Sequence, residues 1–213
     1  ISHAIKAGDL GVGIASGVES MSRSGWALMK GDAPFAPRGP VFLLDTMWAG
    51  AGGPPNPKLL ARNAYISMIE TAQNVADRYY LSRDEIDEFA LRSQRRAKAA
   101  RDSGRLGKEI MPVAIPATKT PPERLADHDE FIRDDVDAGR LAALPAQPGT
   151  TQMTAGNSTP LTDGASVALL SSQEWADAHN IPVLAYFVDG ETAAVDYVNG
   201  SDGLLMAPTY AVP

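Results

Sequence analysis

The chain has 213 residues, of which 44% are hydrophobic and 21% charged, values that are ordinary for a globular protein with a sizeable core. A formal net charge of −7 argues against a general nucleic-acid-binding protein, and the lack of cysteine excludes disulfides, thiolate metal sites and a thiol nucleophile within these residues. No apolar run is long enough to cross a bilayer and no amino-terminal signal pattern is present, so we expect a cytoplasmic protein.

The first part of the chain predicts a helix and a buried strand. Residues 1–10 have helical apolar spacing up to Gly8, and residues 12–18 are small or β-branched. Three glycines fall in or beside that strand, one residue away from the spacing of a dinucleotide-binding loop: Gly11, Gly13 and Gly17. Close packing of small residues is therefore the better explanation.

The segment from Gly31 to Pro57 contains six prolines together with several large apolar side chains. The prolines interrupt any long helix or strand, yet the apolar content is too high for a disordered linker. We predict an ordered excursion, either a covering loop or a small cap.

Two amphipathic helices are predicted next. Apolar residues recur at helical spacing from Met68 to Tyr79. The second helix starts at a capping-box pattern, Ser82 to Glu85, and ends at Gly104. Its predicted apolar face consists of Ile86, Phe89, Ala90 and Ala97. A strand over 109–115 and an irregular, charged stretch over 119–137 follow.

Turn-forming residues crowd into positions 153–166, and an apolar run over 167–170 follows directly. This composition is typical of a binding loop at the edge of a buried strand. The sequence then predicts a strand over 165–170, a short helix over 175–179 and a further strand over 183–188.

Seven basic residues lie on and just after the second helix: Arg92, Arg95, Arg96, Lys98, Arg101, Arg105 and Lys108. They form either a solvated helix face or a surface that attracts an anionic ligand such as a nucleotide phosphate. A nucleic-acid surface ranks lowest because no aromatic stacking residues interleave with the cluster.

A second charged segment, residues 128–135, contains His128 and four acidic residues around Arg133. It could hold a metal ion, but clustered carboxylates in a loop are more often plain surface. The guanidinium of Arg133 beside Phe131 and Ile132 could stack on an adenine and pair with a phosphate. The three histidines lack the strand-turn-helix serine motif of a hydrolase, so we assign them no catalytic role.

Several segments, in the right order, resemble the thiolase family. They are Gly17–Arg23, Met68–Ala76, Arg83–Gln94, Lys108–Val113, Ile132–Asp134, Thr154–Asn157 and Ala207–Pro213. The last is similar to the family segment that precedes an Asn-Glu-Ala-Phe motif. The likeness is greatest to long-chain 3-ketoacyl thiolases of fatty-acid oxidation complexes, and the stretches 31–58 and 118–127 are unmatched.

The resemblance implies an α/β protein with part of the thiolase fold, in which αβαβα layers are built from two similar halves and a loop domain covers coenzyme A. On that plan residues 1–28 end the N-terminal half, 29–160 form the loop domain, 161–182 return to the N-terminal half, and 183–213 begin the C-terminal half. Homodimers or homotetramers are implied, with a fatty-acid oxidation complex as a candidate assembly, and neither nucleic acid nor a membrane span is expected.

The implied reaction is thiolytic cleavage of a 3-ketoacyl-CoA, or the reverse Claisen condensation, through a cysteine nucleophile. That cysteine and the Gly-His-Pro and Cys-Gly-Gly motifs of the family would lie outside these residues, so we expect no catalytic residue here and no turnover by this chain alone. The alternative is a non-catalytic coenzyme-A-binding or interaction module derived from the loop domain.

Coenzyme A is expected as a co-substrate, with no permanently bound cofactor and no metal. The resemblance places Met68 in the acyl pocket, Gln94 beside the nucleotide, Arg133 and Asp134 at adenine and phosphate, and Ala155, Gly156 and Thr159 at the pantetheine arm. Thr159 replaces a serine usual in short-chain members, while Ser67 and Ile69 replace a histidine and a glycine, so the acyl chain length stays open.

Overall fold

A computed structural model describes residues 1–28, 43–47, 56–62, 65–117, 123–199 and 202–212. The helices are α1 (Ser2–Lys6), α2 (Pro57–Leu60), α3 (Met68–Arg78), α4 (Arg83–Asp102), α5 (Ala138–Ala142), α6 (Gln173–Ala178) and α7 (Pro208–Ala211). The strands are β1 (Val12–Ser20), β2 (Trp26–Leu28), β3 (Leu43–Asp45), β4 (Val113–Ile115), β5 (Arg124–Ala126) and β6 (Asp163–Ser171). Short 3-10 helices occupy Met21–Arg23, Leu106–Lys108 and Leu204–Met206.

The chain divides into two compact units. The first comprises Ile1–Tyr65, Leu161–Ala194 and Ala207–Pro213, and the second comprises Ile66–Pro160 and Val195–Met206. The assignment of the four predicted segments to two thiolase halves and a loop domain stays a prediction. Most of the predicted excursion over 31–57 lies outside the described residues, although β3 within it pairs antiparallel with β2.

The first unit is built on the antiparallel pair of β1 and β6, which confirms both predicted strands, but the prediction that they are buried is wrong because their residues are half-buried or exposed. Their register runs from Val12 opposite Ser171 to Ser20 opposite Asp163. A Cβ at Gly13 would lie 2.8 Å from Ile1 Cγ2, so a larger residue there would displace the Ile1 side chain. The large apolar side chains on one face of this pair are exposed: Ile14, Val18, Val167 and Leu169.

The predicted short helix after β6 is present as α6. Ser172 caps it by accepting a hydrogen bond from the Trp175 N–H (3.2 Å), and Asn180, with φ of +54°, ends it. His179 lies at its C-cap, where the ring stacks on Trp175 with centroids 4.0 Å apart. The predicted strand over 183–188 is wrong, because in the described part of the chain this stretch has no strand beside it to complete a ladder.

In the second unit, the predicted start and end of α4 are both confirmed. The Ser82 hydroxyl accepts a hydrogen bond from the Glu85 N–H (3.3 Å), and the Glu85 carboxylate accepts one from the Ser82 N–H (2.8 Å). The hydrogen bond from the Ser82 backbone, with that from its hydroxyl, lowers the pKa of Glu85. Gly104 ends the helix region in the left-handed conformation, with φ of +75°.

The buried face of α4 differs from the predicted one. Asp87 and Leu91 are buried, whereas Phe89 is 65% exposed and lies under the Arg92 guanidinium, 5.1 Å from the ring centroid. A carboxylate on the buried stripe was invisible to a search for apolar spacing. Among the residues of this unit that the structure describes, the apolar core is small and consists of Ala76, Leu91, Leu141 and Met153.

Regular structure after α4 also departs from prediction. The predicted strand over 109–115 is reduced to β4, which pairs antiparallel with β5. Strand β5 lies inside the stretch predicted to be irregular, and the short helix α5 was not predicted. Asp137 caps α5 by accepting a hydrogen bond from the Arg140 N–H (2.8 Å).

Candidate functional site

Loop A, defined as residues 150–159, holds much of the turn-rich segment that the sequence singled out, and Gln73 of α3 fastens its first part. Gln73 Oε1 accepts hydrogen bonds from the backbone N–H groups of Thr151 (2.9 Å) and Gln152 (3.2 Å). Gln73 Nε2 donates to Thr151 Oγ1 (3.1 Å), to Asp77 Oδ1 (2.7 Å) and to the side-chain oxygen of Gln152. This buried amide therefore uses both ends to hold the loop.

Asp87 of α4 fastens the second part of loop A. Its Oδ1 accepts a hydrogen bond from Asn157 Nδ2 (2.9 Å), and its Oδ2 pairs with Arg83 Nε (2.7 Å). The same arginine donates through Nη2 to the carbonyls of Leu141 (2.7 Å) and Leu144 (3.0 Å) at the end of α5. A carboxylate that is 6% exposed thus joins α4, loop A and α5, and its charge is matched.

The middle of loop A is held both by hydrogen bonds and by close packing. Thr154 is fully buried, and its Oγ1 accepts hydrogen bonds from the N–H groups of Gly156 (3.2 Å) and Asn157 (3.3 Å). A Cβ at Gly156 would lie 2.5 Å from Leu144 Cδ1 and 2.6 Å from Leu141 Cδ2. The small size of Gly156 is therefore needed on the protein side, and its contact with a ligand stays a prediction.

Loop B, defined as residues 131–134, contains Arg133 and is held by Gln94 of α4. Gln94 Oε1 accepts a hydrogen bond from the Arg133 N–H (3.0 Å), and Gln94 Nε2 donates to the Phe131 carbonyl (3.4 Å). The Gln94 amide is thus committed to the backbone of loop B, and its predicted contact with a nucleotide is untested.

Asp134 ties the end of loop B to the same helix by ion pairs. It lies against the Arg101 guanidinium and 3.3 Å from Lys98 Nζ, and both cations also pair with Asp102. Hydrogen bonds from Arg101 first, and from Lys98 second, lower the pKa of Asp134 below its usual range. Asp134 therefore serves as an anchor in the structure, and these two cations are not available as isolated positive charges.

The guanidinium of Arg133 is exposed and has no acidic partner among the described residues. The predicted basic cluster is otherwise divided, since Lys98 and Arg101 are paired and Arg105 lies 3.7 Å from Glu109. A cavity of about 320 Å³ borders the remaining face of α4, which carries Glu88, Leu91, Arg92, Arg95, Arg96 and Ala99. For the basic residues on this face, both interpretations therefore remain: a solvated helix face or a surface that attracts an anionic ligand.

Three further predicted residues are exposed in the second unit. Met68 begins α3, 60% exposed, after Ser67 caps the helix by accepting a hydrogen bond from the Glu70 N–H (3.2 Å). Ala155 and Thr159 lie on loop A with their side chains exposed. The serine that replaces the family's histidine thus has a local role as a helix cap.

The histidine-acid segment does not form a metal centre in the described residues, where no three His, Asp or Glu side chains converge to hold an ion. His128 Nδ1 lies 2.6 Å from Asp127 Oδ1, and hydrogen bonding from this histidine lowers the pKa of Asp127. Of the helices in the described ranges, none combines the length and apolar character needed to cross a bilayer.

The residues that sequence reasoning missed are those that hold the loops: Gln73, Arg83, Asp87, Thr154 and Asn157. One signal was available, because Arg83 and Asp87 are four residues apart, the spacing of an ion pair on a helix. No local pattern, however, pairs Asp87 with an asparagine seventy residues later.

The chain is similar in sequence to proteins of one family over most of its length. The family described as "Thiolase, N-terminal domain" matches residues 1–174. Beta-ketoadipyl-CoA thiolase of Escherichia coli is 36% identical over 196 residues, 92% of this chain and 48% of that protein. Acetyl-CoA acetyltransferase of Chromobacterium violaceum is 41% identical over 186 residues, 86% of this chain and 45% of that protein. The chain therefore spans about half the length of these curated relatives.

Solved structures of thiolases are also similar to this chain over most of its length. Human mitochondrial 3-ketoacyl-CoA thiolase superposes with a TM-score of 0.77 at 27% identity, over 91% of this chain and 47% of that one. Acetyl-CoA acetyltransferase of Bacillus anthracis gives a TM-score of 0.74 at 33% identity, over 91% and 46%. The human protein in complex with CoA gives a TM-score of 0.76 at 27% identity.

Proposed function

The chain belongs to the thiolase family and has a partial thiolase fold, as its sequence predicted, and from that premise we propose that it supplies the coenzyme-A-binding part of an acyl-CoA C-acyltransferase. The reaction would be thiolytic cleavage of a 3-ketoacyl-CoA or the reverse Claisen condensation. The proposal extends to the whole protein an activity that is named for relatives about twice as long.

One observation carries the proposal: both segments predicted to contact coenzyme A are fastened to the same helix. Asp87 of α4 holds loop A through Asn157, and Gln94 of α4 holds loop B through its backbone. Loops that are ordered before the ligand arrives lose less conformational entropy on binding, which favours affinity. A pair of solvated surface loops would need no such anchors.

The exposed groups of these loops match the chemistry of coenzyme A. Arg133, whose guanidinium has no acidic partner among the described residues, offers this group to phosphates or to the face of an adenine. Ala155 and Thr159 offer small side chains, past which the slender pantetheine arm could run close to the backbone. Met68 at the start of α3 supplies a flexible apolar side chain for an acyl group.

Chemistry at the thioester needs a thiolate that this sequence does not contain. The 213 residues include no cysteine, so acyl transfer through a cysteine requires residues outside them. The same fact favours a second candidate, in which the chain binds coenzyme A or a partner protein without turnover. We propose the acyltransferase first because relatives of that class align over most of the chain.

Titration calorimetry with coenzyme A tests the binding site directly. Arg133→Ala should weaken binding by roughly 1–3 kcal/mol, about 5- to 150-fold, because a charge-assisted contact to phosphate is lost. Arg105→Ala is the matched control, since that guanidinium pairs with Glu109 and lies outside both loops. Unchanged affinity of the Arg133 variant would remove this residue from the site, and no binding by the parent protein would reject the proposal.

A second experiment separates the two candidate functions. The longest reading frame that contains this chain would be expressed, its intact mass compared with 22.5 kDa, and thiolysis of acetoacetyl-CoA and 3-oxoadipyl-CoA measured. A larger, cysteine-containing product with turnover supports the acyltransferase. Binding without turnover by such a product supports the module, and turnover by the pure 213-residue chain would contradict the inactivity that we expect of it.

The substrate range, the assembly and the compartment are parts of this proposal. The resemblance to fatty-acid oxidation thiolases and the relatives named for beta-ketoadipyl-CoA suggest different acyl groups. Ser67 and Ile69, which replace the family's histidine and glycine beside Met68, lie where such a preference would be set. A homodimer or homotetramer in the cytoplasm, alone or in a fatty-acid oxidation complex, is the setting that we propose.

A further inference from the structure

Helix α4 carries the anchors of loop A and loop B on one face. Asp87 and Gln94 are seven residues apart, which is two helical turns, so their side chains emerge in nearly the same direction about 10 Å apart along the axis. We propose that these two residues are positioning residues that set the spacing between the pantetheine contact and the nucleotide contact. This inference rests on the proposed function.

The Asp87 anchor is specific for its two donors. One carboxylate oxygen accepts from Arg83 and the other from Asn157, so each oxygen has its own partner. An amide in place of the carboxylate keeps the shape but has one acceptor oxygen, which should stay on the charged Arg83 guanidinium because that is the stronger donor; the amide NH₂ group would then face the Asn157 NH₂ group. Asp87→Asn therefore removes the link to loop A while it changes the packing very little.

The Gln94 anchor differs in that it holds backbone rather than a side chain. Its oxygen accepts from the Arg133 N–H and its nitrogen donates to the Phe131 carbonyl, so the peptide groups on both sides of Ile132 are fixed. The Arg133 side chain is left exposed in a defined place. Gln94→Leu has a similar length and removes both hydrogen bonds.

The two anchors predict a separation of effects along the ligand. Asp87 acts through loop A and should influence only the pantetheine half, whereas Gln94 acts through loop B and should influence only the nucleotide half. They share no hydrogen-bonding partner among the described residues, so their effects on whole coenzyme A should multiply. A general loss of structure would weaken both halves together.

The test is a titration of the protein with coenzyme A, pantetheine, and 3′,5′-adenosine bisphosphate, followed by calorimetry or, for the weaker fragments, by ligand-observed NMR. Asp87→Asn should weaken pantetheine and coenzyme A by about 5- to 20-fold and leave the bisphosphate within 2-fold. Gln94→Leu should weaken the bisphosphate by about 5- to 20-fold and leave pantetheine within 2-fold. Ser93→Ala, an exposed residue of the same helix, is the matched control.

The outcomes of these titrations distinguish failure of the positioning role from failure of the proposed function. If the parent protein binds coenzyme A but either variant changes both fragments equally, or changes neither, the positioning role is overturned and the proposed function survives. If the parent protein does not bind coenzyme A, both proposals fail. Should Asp87→Asn unfold, as judged by circular dichroism, Asn157→Ala breaks the same link from loop A and must give the same selective loss for pantetheine.

Discussion

Loop A and loop B are held to the same helix in opposite ways. Loop A is fixed by the buried Asp87 carboxylate of α4, with further support from the buried Gln73 amide of α3 and from its own fully buried Thr154. Loop B is fixed by Gln94 and by ion pairs of Asp134 that remain open to solvent. Buried, fully matched hydrogen bonds are costly to break and insensitive to salt, whereas exposed ion pairs contribute little and are screened.

This difference teaches how one helix can support two kinds of contact. A loop that must present its backbone to a slender, uncharged arm benefits from rigid placement, because a shift of one ångström breaks several contacts at once. A loop that offers a single long guanidinium can tolerate movement, because Arg133 can follow a phosphate through its own flexible side chain. Variants of the anchoring residues test whether the two loops differ in this way.

The largest effect is expected from Asp87→Ala. Removing the carboxylate leaves the Arg83 guanidinium and the Asn157 amide without their buried partner, which should lower the free energy of unfolding by about 3 kcal/mol. Urea denaturation followed by circular dichroism measures it. Glu88→Ala, an exposed neighbour, should change stability by less than about 0.5 kcal/mol, and equal effects of the two variants would show that loop A is not held by Asp87.

Gly156→Val should lower the free energy of unfolding by somewhat less than Asp87→Ala. The added side chain would meet the Leu141 and Leu144 methyl groups and push loop A away from α5, for about 2 kcal/mol of unfolding free energy. Ala155→Val, one residue earlier and exposed, is the control and should be nearly neutral. If the two valines behave alike, the tight packing of loop A on α5 is not real.

Ser82→Ala sharpens the comparison by loosening one end of α4. Loss of the capping hydroxyl should cost about 1 kcal/mol, and it should fray the end of the helix near Asp87 more than the end near Asp134. Amide hydrogen exchange should therefore rise in loop A and stay constant in loop B. A rise confined to loop B would contradict the assignment of the two loops to different ends of α4.

The smallest effect is expected at the ion pairs of loop B, and it depends on pH and salt. Arg101 and Lys98 lower the pKa of Asp134, so its stabilising contribution is present above the pKa of about 3.9 in the unfolded chain and is lost as pH falls through the lower folded value. The protection factors of the loop B amides, which correct for the slower intrinsic exchange in acid, should fall as the pH drops below about 3.9 and in about 1 M salt, whereas those of loop A should not respond to salt. Asp134→Asn should abolish the salt response, and a response that survives in this variant would place its source elsewhere.

The parts of the fold that were predicted are those written in local sequence. The capping box at Ser82, the left-handed Gly104 and the strands β1 and β6 each depend on a few neighbouring residues. The strand predicted over 183–188 was wrong because an apolar run describes a strand only when another strand lies beside it. Short α5 was missed because five residues carry too little periodicity to detect.

The residues of the candidate site also fall into two groups, those that local sequence can predict and those that it cannot. Its exposed residues, such as Arg133 and Thr159, could be named from a family resemblance carried by short motifs. The buried residues that hold them could not, because the pairing of Asp87 with Asn157 and of Gln73 with Thr151 joins positions more than sixty residues apart. Asp87 also contradicts the usual rule that the inward stripe of a helix is apolar, so only its partners explain it.

The two-turn interval on α4 also limits how this protein can evolve. One residue inserted or deleted between Asp87 and Gln94 would rotate one anchor by about 100° around the helix axis, so loop A and loop B could no longer be held together. Substitutions between the anchors carry no such penalty. Homologues that keep both anchors should therefore never vary in the number of the six intervening residues, and should vary in identity mainly at the exposed ones, since Leu91 is buried.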